Sequence, residues 1–197
     1  MASGLFEYVY GDIRRSRLQV RKLIKHHARF SNGKLPLLTD SAEVYAFLRN
    51  APQLFEGNTL WQKKALLFAQ HIRFITDLLP KKLPTFASFA SPVQAMFCST
   101  PCVDKNTLQT AHTILHTLFK KNFVKCEYTD APVPLLGYGF VKHNLALPYG
   151  LQAVQAIALH QTQTVFVLSG LTALELEFYL RTFYPTAHAY HLIALNG

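Results

Sequence analysis

The chain has 197 residues, half of them apolar, and its 20 Lys and Arg against 11 Asp and Glu give a net charge of +9. A chain of this size and composition can bury a core, which excludes global disorder, and it corresponds to one domain or to one domain with an extension. No run approaches the roughly 20 apolar residues of a membrane span, so we predict no transmembrane segment.

The positive charge is concentrated at one end of the chain. Residues 1–34 carry eight Lys or Arg against two acids, whereas residues 131–197 carry two of each. Such asymmetry is typical of chains that bind nucleic acid or an anionic membrane surface, or that carry a targeting signal. A basic surface that only keeps the protein soluble is the alternative interpretation.

Residues 11–30 have the periodicity of an amphipathic helix that ends at Ser31-Asn32-Gly33. The basic side chains occupy about half of the helix circumference. They are Arg14, Arg15, Arg17, Arg21, Lys22, Lys25 and Arg29. The other side carries Ile13, Val20, Leu23, Ile24 and Phe30, whereas Leu18 lies among the charges. His26 and His27 flank the basic stripe, where we expect them to support anion binding.

A connector, Lys34–Leu38, leads to a short helix that we expect to end at Asn50. Asp40 is the predicted N-cap of this helix, and Glu43, three residues on, is its capping-box partner. Residues 51–58 are predicted to form a loop.

A long helix is predicted over Leu60–Leu79, with Thr59 as its N-cap and Pro80 as its end. Its apolar residues cover more than a narrow stripe, which predicts burial against several neighbours. These residues are Trp61, Leu66, Leu67, Phe68, Ile72, Phe74, Ile75, Leu78 and Leu79.

Residues 80–103 are rich in Pro and Ser and are predicted to be an irregular crossing and the best candidate for a domain boundary. Asp104 then caps a helix that runs to Lys121. Further elements follow in the C-terminal part. They are strands at Phe123–Thr129 and Leu135–Val141, a helix at Leu151–His160, a strand at Thr164–Leu168, a helix at Thr172–Tyr184 and a strand at Ala189–Leu195.

A strand, a helix and a strand in succession predict a parallel crossover. The predicted fold is therefore α/β, with a helix-rich N-terminal part followed by a small sheet with crossover helices. We predict three parts: a basic helical extension at 1–34, a helical region at 35–121 and a small α/β unit at 122–197.

The sequence carries no recognised catalytic or phosphate-binding motif. Cys98, Cys102 and Cys126 are too few and too irregularly spaced for a disulfide framework or a zinc site, so we expect free thiols. His112 and His116 could face the same side of a helix, but we expect them to be solvated surface residues. We predict no catalytic residue, no metal site and no cofactor.

The basic helix is the strongest functional signal, because each Lys or Arg that reaches a phosphate releases counterions. Six residues are predicted to bind RNA: Arg14, Arg17, Arg21, Lys22, Lys25 and Arg29. No aromatic residue lies among these charges, which favours recognition of the backbone or shape of folded RNA over stacking on unpaired bases. The apolar face is expected to pack on the helix 60–79 or on a neighbouring subunit.

The C-terminal segment has a helix, an apolar strand, a Gly170-Leu171-Thr172 turn that opens a second helix, and a strand entered at Tyr190. In this order, residues 151–197 resemble the ribosomal large-subunit stalk-base protein family, with Leu174, Tyr179 and Phe183 at its apolar helix positions.

Three departures from that family stand out. Ser169 replaces its usual Arg, Ala194 and Leu195 precede Asn196 where it has Lys-Asn, and the sequence stops at Gly197 without the helices that bind acidic stalk proteins. The first two put RNA contact at this segment in doubt, and from the third we expect no recruitment of stalk proteins.

Together, the basic helix and the resemblance predict a non-catalytic structural subunit of a large ribonucleoprotein. We expect this ribonucleoprotein to be an organellar, mitochondrial ribosome, with ribosomal RNA and neighbouring subunits as partners. If the protein is not mitochondrial, we expect a cytoplasmic location. One alternative is an accessory subunit of a mitochondrial respiratory or ATP synthase complex, which the wide apolar coverage of helix 60–79 would suit. A small α/β enzyme with a ligand near Gly170, and peripheral contact of the basic helix with a membrane, also stay open.

Overall fold

The fold is α/β and helix-rich, with two small parallel sheets, as the sequence predicts. The computed structural model describes residues 3–75, 95–98, 105–119, 123–124 and 143–192. The chain forms two compact units, Met1–Asp77 and Leu78–Gly197. The three-part division at residues 34 and 121 stays a prediction.

The first unit is built mainly from helices. Its elements are α1 (Leu5–Val9), α2 (Ile13–Ser31), β1 (Leu37–Thr39), α3 (Ala42–Arg49), a 3-10 helix (Ala51–Phe55), α4 (Thr59–Ala69) and β2 (Ile72–Phe74). Strands β1 and β2 pair in parallel, with Leu37 opposite Ile72 and Thr39 opposite Phe74. Because parallel neighbours need a long crossover, the three helical segments between them form the connection.

Helix α2 confirms the helix that the periodicity of residues 11–30 predicts. The Asp12 side chain accepts a hydrogen bond from the backbone N–H of Arg15 at 3.0 Å and so caps the first turn. At the other end Asn32 adopts the left-handed conformation, with φ of 48°, and ends the helix. Both signals are local, which explains why the sequence predicts this element well.

The predicted long helix Leu60–Leu79 was wrong after Ala69, and its last four residues, 76–79, lie outside the described residues. Helix α4 ends at Ala69, and Ile72–Phe74 forms a strand in which Ile72 and Phe74 are buried and Arg73 is exposed. Pairing with β1 satisfies the backbone of this strand, and its alternate side chains enter the core. Asn58, and not Thr59, caps α4 by accepting from the N–H of Trp61 at 3.2 Å.

Other local predictions of the first unit also need correction. Ser41, and not Asp40, caps α3: its hydroxyl accepts from the N–H of Val44 at 3.2 Å and donates to Glu43 at 2.8 Å. Glu43 is thus one residue too early for a capping box. The predicted connector and loop contain β1 and the 3-10 helix respectively.

The second unit contains a four-stranded parallel sheet with the strand order β4-β3-β5-β6. Its described elements are β3 (Ala95–Phe97), α5 (Lys105–Phe119), β4 (Phe123–Val124), α6 (His143–Leu159), β5 (Thr164–Val167), α7 (Gly170–Phe183) and β6 (His188–His191). The parallel pairing of β5 with β6 across α7 confirms the predicted crossover. Strand β3 lies within the predicted irregular crossing. The predicted strand Leu135–Val141 and the end of Phe123–Thr129 lie outside the described residues.

The core of the second unit depends on a close approach of α6 and α7. Helix α6 begins at His143, eight residues before the predicted start, and includes Pro148. A Cβ atom placed on Gly150 would lie 2.5 Å from the ring of Tyr179, so only glycine leaves room for this fully buried ring. The core around it consists of Met96, Cys98, Ala153, Val154, Ile157, Val165, Val167, Ala173, Leu176, Tyr179, Leu180 and Ala187.

Candidate nucleic-acid interface

Helix α2 separates an apolar inner face from a basic outer face. Val20, Leu23 and Ile24 are buried, as predicted, and α2 packs against α4 and the 3-10 helix. The outer face exposes most of the basic side chains and Leu18. The exposed basic residues are Arg14, Arg15, Arg17, Lys22, Lys25 and Arg29, whereas Arg21 is half-buried. The predicted packing of this helix on α4 is therefore confirmed.

The six residues predicted to bind RNA have no acidic partner among the described residues. Arg15, the seventh basic residue of the helix, lies 3.4 Å from the carboxylate of Asp12. In the part of the chain that the structure describes, no carboxylate lies within ion-pair distance of the other six. Within the described residues, the outer face of α2 is therefore a surface of positive charge without a neighbouring carboxylate.

The structure divides the six residues into two groups. Arg14, Lys22 and Arg29 extend into solvent, whereas Arg17, Arg21 and Lys25 lie on the side that faces the 3-10 helix and α4. The Nε of Arg17 donates a hydrogen bond to the carbonyl oxygen of Leu54. Arg17 therefore also stabilises the unit's own fold, whereas the first group is free for a ligand.

An aromatic ring lies among these charges, contrary to the expectation from the sequence. The guanidinium carbon of Arg21 is 4.9 Å from the ring centroid of Trp61 and 5.6 Å from that of Phe55. The Nζ atoms of Lys25 and Lys64 are 5.8 Å and 5.0 Å from the same Trp61 ring. We call Arg21, Lys25, Lys64 and Trp61 the tryptophan cluster. The sequence alone does not reveal this cluster, because Trp61 is 36 positions after Lys25.

The two histidines of α2 have different environments. His27 is buried, its Nε2 lies 2.6 Å from the carbonyl oxygen of Leu35, and its ring packs edge-on against Phe68. The expectation that it supports anion binding was therefore wrong, because it faces inward. His26 is exposed and stacks on Phe30 at 4.2 Å between centroids. Phe30 itself is 78% exposed, so its predicted place on the apolar face was also wrong.

The described charges of the second unit are arranged differently. Glu177 accepts hydrogen bonds from the N–H of Ala189 at 2.8 Å and from Nε of Arg181 at 2.9 Å, and lies 3.1 Å from Nδ1 of His188. Partial burial alone would raise the pKa of Glu177, but these partners together outweigh it and lower the pKa. This carboxylate therefore joins α7 to the edge strand β6.

A second carboxylate of α7 lies on another side of the helix. Glu175 is fully buried, whereas Glu177 is half-buried. Burial, followed by the charge of Glu175, raises the pKa of Tyr179. Both groups belong to the packed core of the unit, and this position is typical of a structural role.

The candidate metal ligands are not brought together within the described residues, where no group of three or more His, Cys, Asp or Glu could hold a metal ion. Cys98 is buried, whereas Cys102 and Cys126 lie outside the described residues. His112 is half-buried and packs edge-on against Phe97 at 5.2 Å, so the prediction that it is a solvated surface residue was wrong. His116 is exposed.

The residues that carry the family resemblance lie along α6, β5, α7 and β6, in the expected order. Ser169 caps α7, where its buried hydroxyl accepts from the N–H of Thr172 at 3.5 Å. Tyr179 is buried, whereas Leu174 and Phe183 are exposed. Ala194 lies outside the described residues.

Comparison with known proteins adds no relative. Scans against protein-family models, curated proteins and solved structures find no match to this chain. Among the described residues, none of the helices has the length and apolar content needed to cross a bilayer.

Proposed function

We propose that the protein is a non-catalytic subunit of a large ribonucleoprotein and that it docks on RNA through the outer face of α2. The observation that supports this most directly is a row of basic side chains on one face of a folded helix that have no acidic partner among the described residues. A phosphate backbone supplies the missing negative charge, and its neutralisation releases counterions.

The length of the row suits a polyanion better than a small anion. Arg14 and Arg29 are 15 residues apart on one helix, which corresponds to roughly 22 Å at the α-helical rise. Lys22 lies between them and is also exposed. One small anion would neutralise one end of this face, whereas an RNA strand carries phosphates along its whole length.

The assembly that we propose is a mitochondrial ribosome. The support is the order of helix, strand, Gly170-Leu171-Thr172 helix and strand in the second unit, which is the order expected from the stalk-base family. In this proposal the first unit provides the RNA contact. Ser169, which replaces the family's usual Arg, is buried as the cap of α7, so we assign no RNA contact to it.

A second candidate, an accessory subunit of a protein complex, is favoured by an apolar stripe on α7. Leu171, Leu174 and Phe178 are spaced by three and four residues and are 40%, 63% and 48% exposed. Exposed apolar side chains at this spacing are typical of a surface that meets another protein. Neighbouring protein subunits within a ribonucleoprotein would use the same stripe.

Native purification tests the proposal against this second candidate. The full chain is purified with its partners, and half of the sample is treated with ribonuclease. We expect ribosomal RNA and large-subunit proteins in the untreated half, and loss of the RNA-bridged partners after treatment. Recovery of the same protein partners, without RNA, from both halves would contradict RNA docking and favour a purely protein complex.

A further inference from the structure

The tryptophan cluster has a shortage of negative charge that its aromatic ring does not remove. A cation that lies over an exposed indole gains about 1 kcal/mol from the ring, but the attraction is weak beside the charge itself. Arg21, Lys25 and Lys64 all lie within 4.9–5.8 Å of the Trp61 centroid. These like charges repel one another, and no described carboxylate lies within ion-pair distance of any of them.

Trp61 is half-buried, and neighbouring residues hold it in place. Trp61 lies in the first turn of α4, where its backbone N–H donates to the side-chain oxygen of the cap residue Asn58. Its ring centroid is 6.0 Å from that of buried Phe55. Arg21 is half-buried beside both rings. Lys25 and Lys64 are exposed and have long flexible side chains, so they can leave the ring for an anion that arrives beside it.

A nucleotide with an unpaired base can interact with both the cations and the indole ring of the tryptophan cluster. Its phosphate supplies the negative charge that the three cations lack, and its base has a flat face that stacks on an indole. A base within a duplex is already stacked and paired, so a duplex offers the cluster only its phosphates. This chemistry therefore selects RNA loops, bulges or single strands.

We infer that the tryptophan cluster binds an unpaired nucleotide of RNA, with the base on Trp61 and the phosphate between Arg21, Lys25 and Lys64. This inference rests on the proposed function, since it assumes that RNA is the partner of α2. It extends the interface from α2 onto α4. In this binding mode the protein recognises one unstacked base as well as the RNA backbone.

The chain contains a single tryptophan, so fluorescence excited selectively at tryptophan reports on this cluster alone. The full chain is titrated with an oligouridylate of about 12 nucleotides and with an RNA duplex of similar length, a size that spans one binding site. We expect the single strand to quench the Trp61 emission strongly. The duplex is expected to bind with little quenching.

Affinities of variants are measured by the fluorescence anisotropy of labelled RNA. Trp61→Ala is expected to weaken binding of the single strand by about 10-fold, as loss of one stacked base does, and to change duplex binding by less than about 2-fold. Trp61→Phe keeps a stacking face and should retain affinity within about 3-fold of the original. Leu60→Ala, at an exposed position beside Trp61 in the same helix, is the matched control and should have no effect.

The outcomes separate the inference from the proposed function. If both RNAs bind but Trp61 emission is unchanged, or if Trp61→Ala weakens single strand and duplex equally, the inference is overturned and RNA docking by α2 stands. If neither RNA binds the original protein, the proposed function itself is overturned. Circular dichroism of Trp61→Ala, compared with Trp61→Phe, identifies any loss of folding.

Discussion

The two units of the molecule use charged side chains in opposite ways. In the first unit, 12 Lys and Arg stand against six Asp and Glu, and the cations on the outer face of α2, Arg15 excepted, have no acidic partner among the residues that the structure describes. In the described part of the second unit, Arg181 and His188 are both directed at Glu177. The first unit therefore leaves charge available, whereas the second unit uses it to join its own elements.

This difference indicates which residues a partner can take without disturbing the fold. A charge that already has hydrogen-bonded partners must lose them before it meets a ligand, and this loss costs free energy. A solvated charge such as Lys22 has only water and counterions to lose. We therefore propose the RNA contact for α2 and expect a structural role for Glu177, and each assignment can be tested.

The largest effect is expected from reversing three solvated charges of α2. Arg14→Glu, Lys22→Glu and Arg29→Glu, combined in one protein, should reduce RNA affinity by at least about 100-fold near 0.1 M salt, since several phosphate contacts are lost. Anisotropy of labelled RNA measures this change. Arg17 and Arg21 are left intact, because they contact Leu54 and Trp61.

A matched control lies in the second unit. Lys105 is exposed at the start of α5, so Lys105→Glu changes the charge by the same amount as Arg29→Glu alone. We expect Lys105→Glu to leave RNA affinity within about 3-fold, and Arg29→Glu to cost more than that. Equal losses for the two variants would show that only the total charge of the chain matters.

The next effect concerns packing in the second unit. Gly150→Ala gains about 1 kcal/mol of helix propensity but places its methyl group 2.5 Å from the Tyr179 ring, and overpacking of this kind costs about 1–3 kcal/mol. We expect a net loss of stability of up to about 2 kcal/mol by chemical denaturation. In a Tyr179→Leu background the same change should be neutral or stabilising. A stabilising effect in the original chain would contradict the close approach of α6 and α7.

Some elements of this fold can be predicted from local sequence signals. Others depend on pairing with residues that are distant in the sequence. Helix α2 has its cap, its periodicity and its end within one segment, so the sequence predicts it well. Strand β2 continues an apolar run that reads equally well as helix, and only its pairing of Ile72 with Leu37 distinguishes the two. The predicted helix therefore extended too far.

The candidate site shows the same limit. The charge stripe of α2 follows from the sequence, but the contact of Lys25 with Trp61 joins two helices that are separated by a strand, a helix and a 3-10 helix. No spacing rule connects such positions. The helix projection places Phe30 on the apolar face of α2. A projection does not show where the neighbouring helix ends, so it could not predict that Phe30 is exposed.

A smaller effect is expected from the carboxylate of Glu177. Its folded-state pKa lies below the ordinary value of 4.5, so the stabilisation is complete above that pH and is lost as the pH falls through the folded-state pKa. Glu177→Gln should cost about 1 kcal/mol at pH 7 and should flatten the acid limb of the stability curve. An unchanged acid limb in this variant would contradict the role of the network between α7 and β6.

The smallest effect on stability is expected when one solvated charge of the first unit is neutralised. Lys22→Gln removes one exposed charge in the middle of α2 and should change stability by less than about 0.5 kcal/mol. Paired with Glu177→Gln in the same denaturation series, it compares a solvated charge with a partnered one. If Lys22→Gln lowered the stability as much as Glu177→Gln does, this would contradict the difference between a solvated charge in the first unit and a partnered charge in the second.

The salt dependence of RNA binding tests the docking role of α2 most directly. The logarithm of the association constant is measured against the logarithm of salt concentration for the original chain and for Lys22→Gln, Arg29→Gln and Lys105→Gln. We expect the slope to become shallower by about one for each of the two α2 variants and to stay unchanged for Lys105→Gln. A slope that is the same for all four proteins would contradict docking through α2.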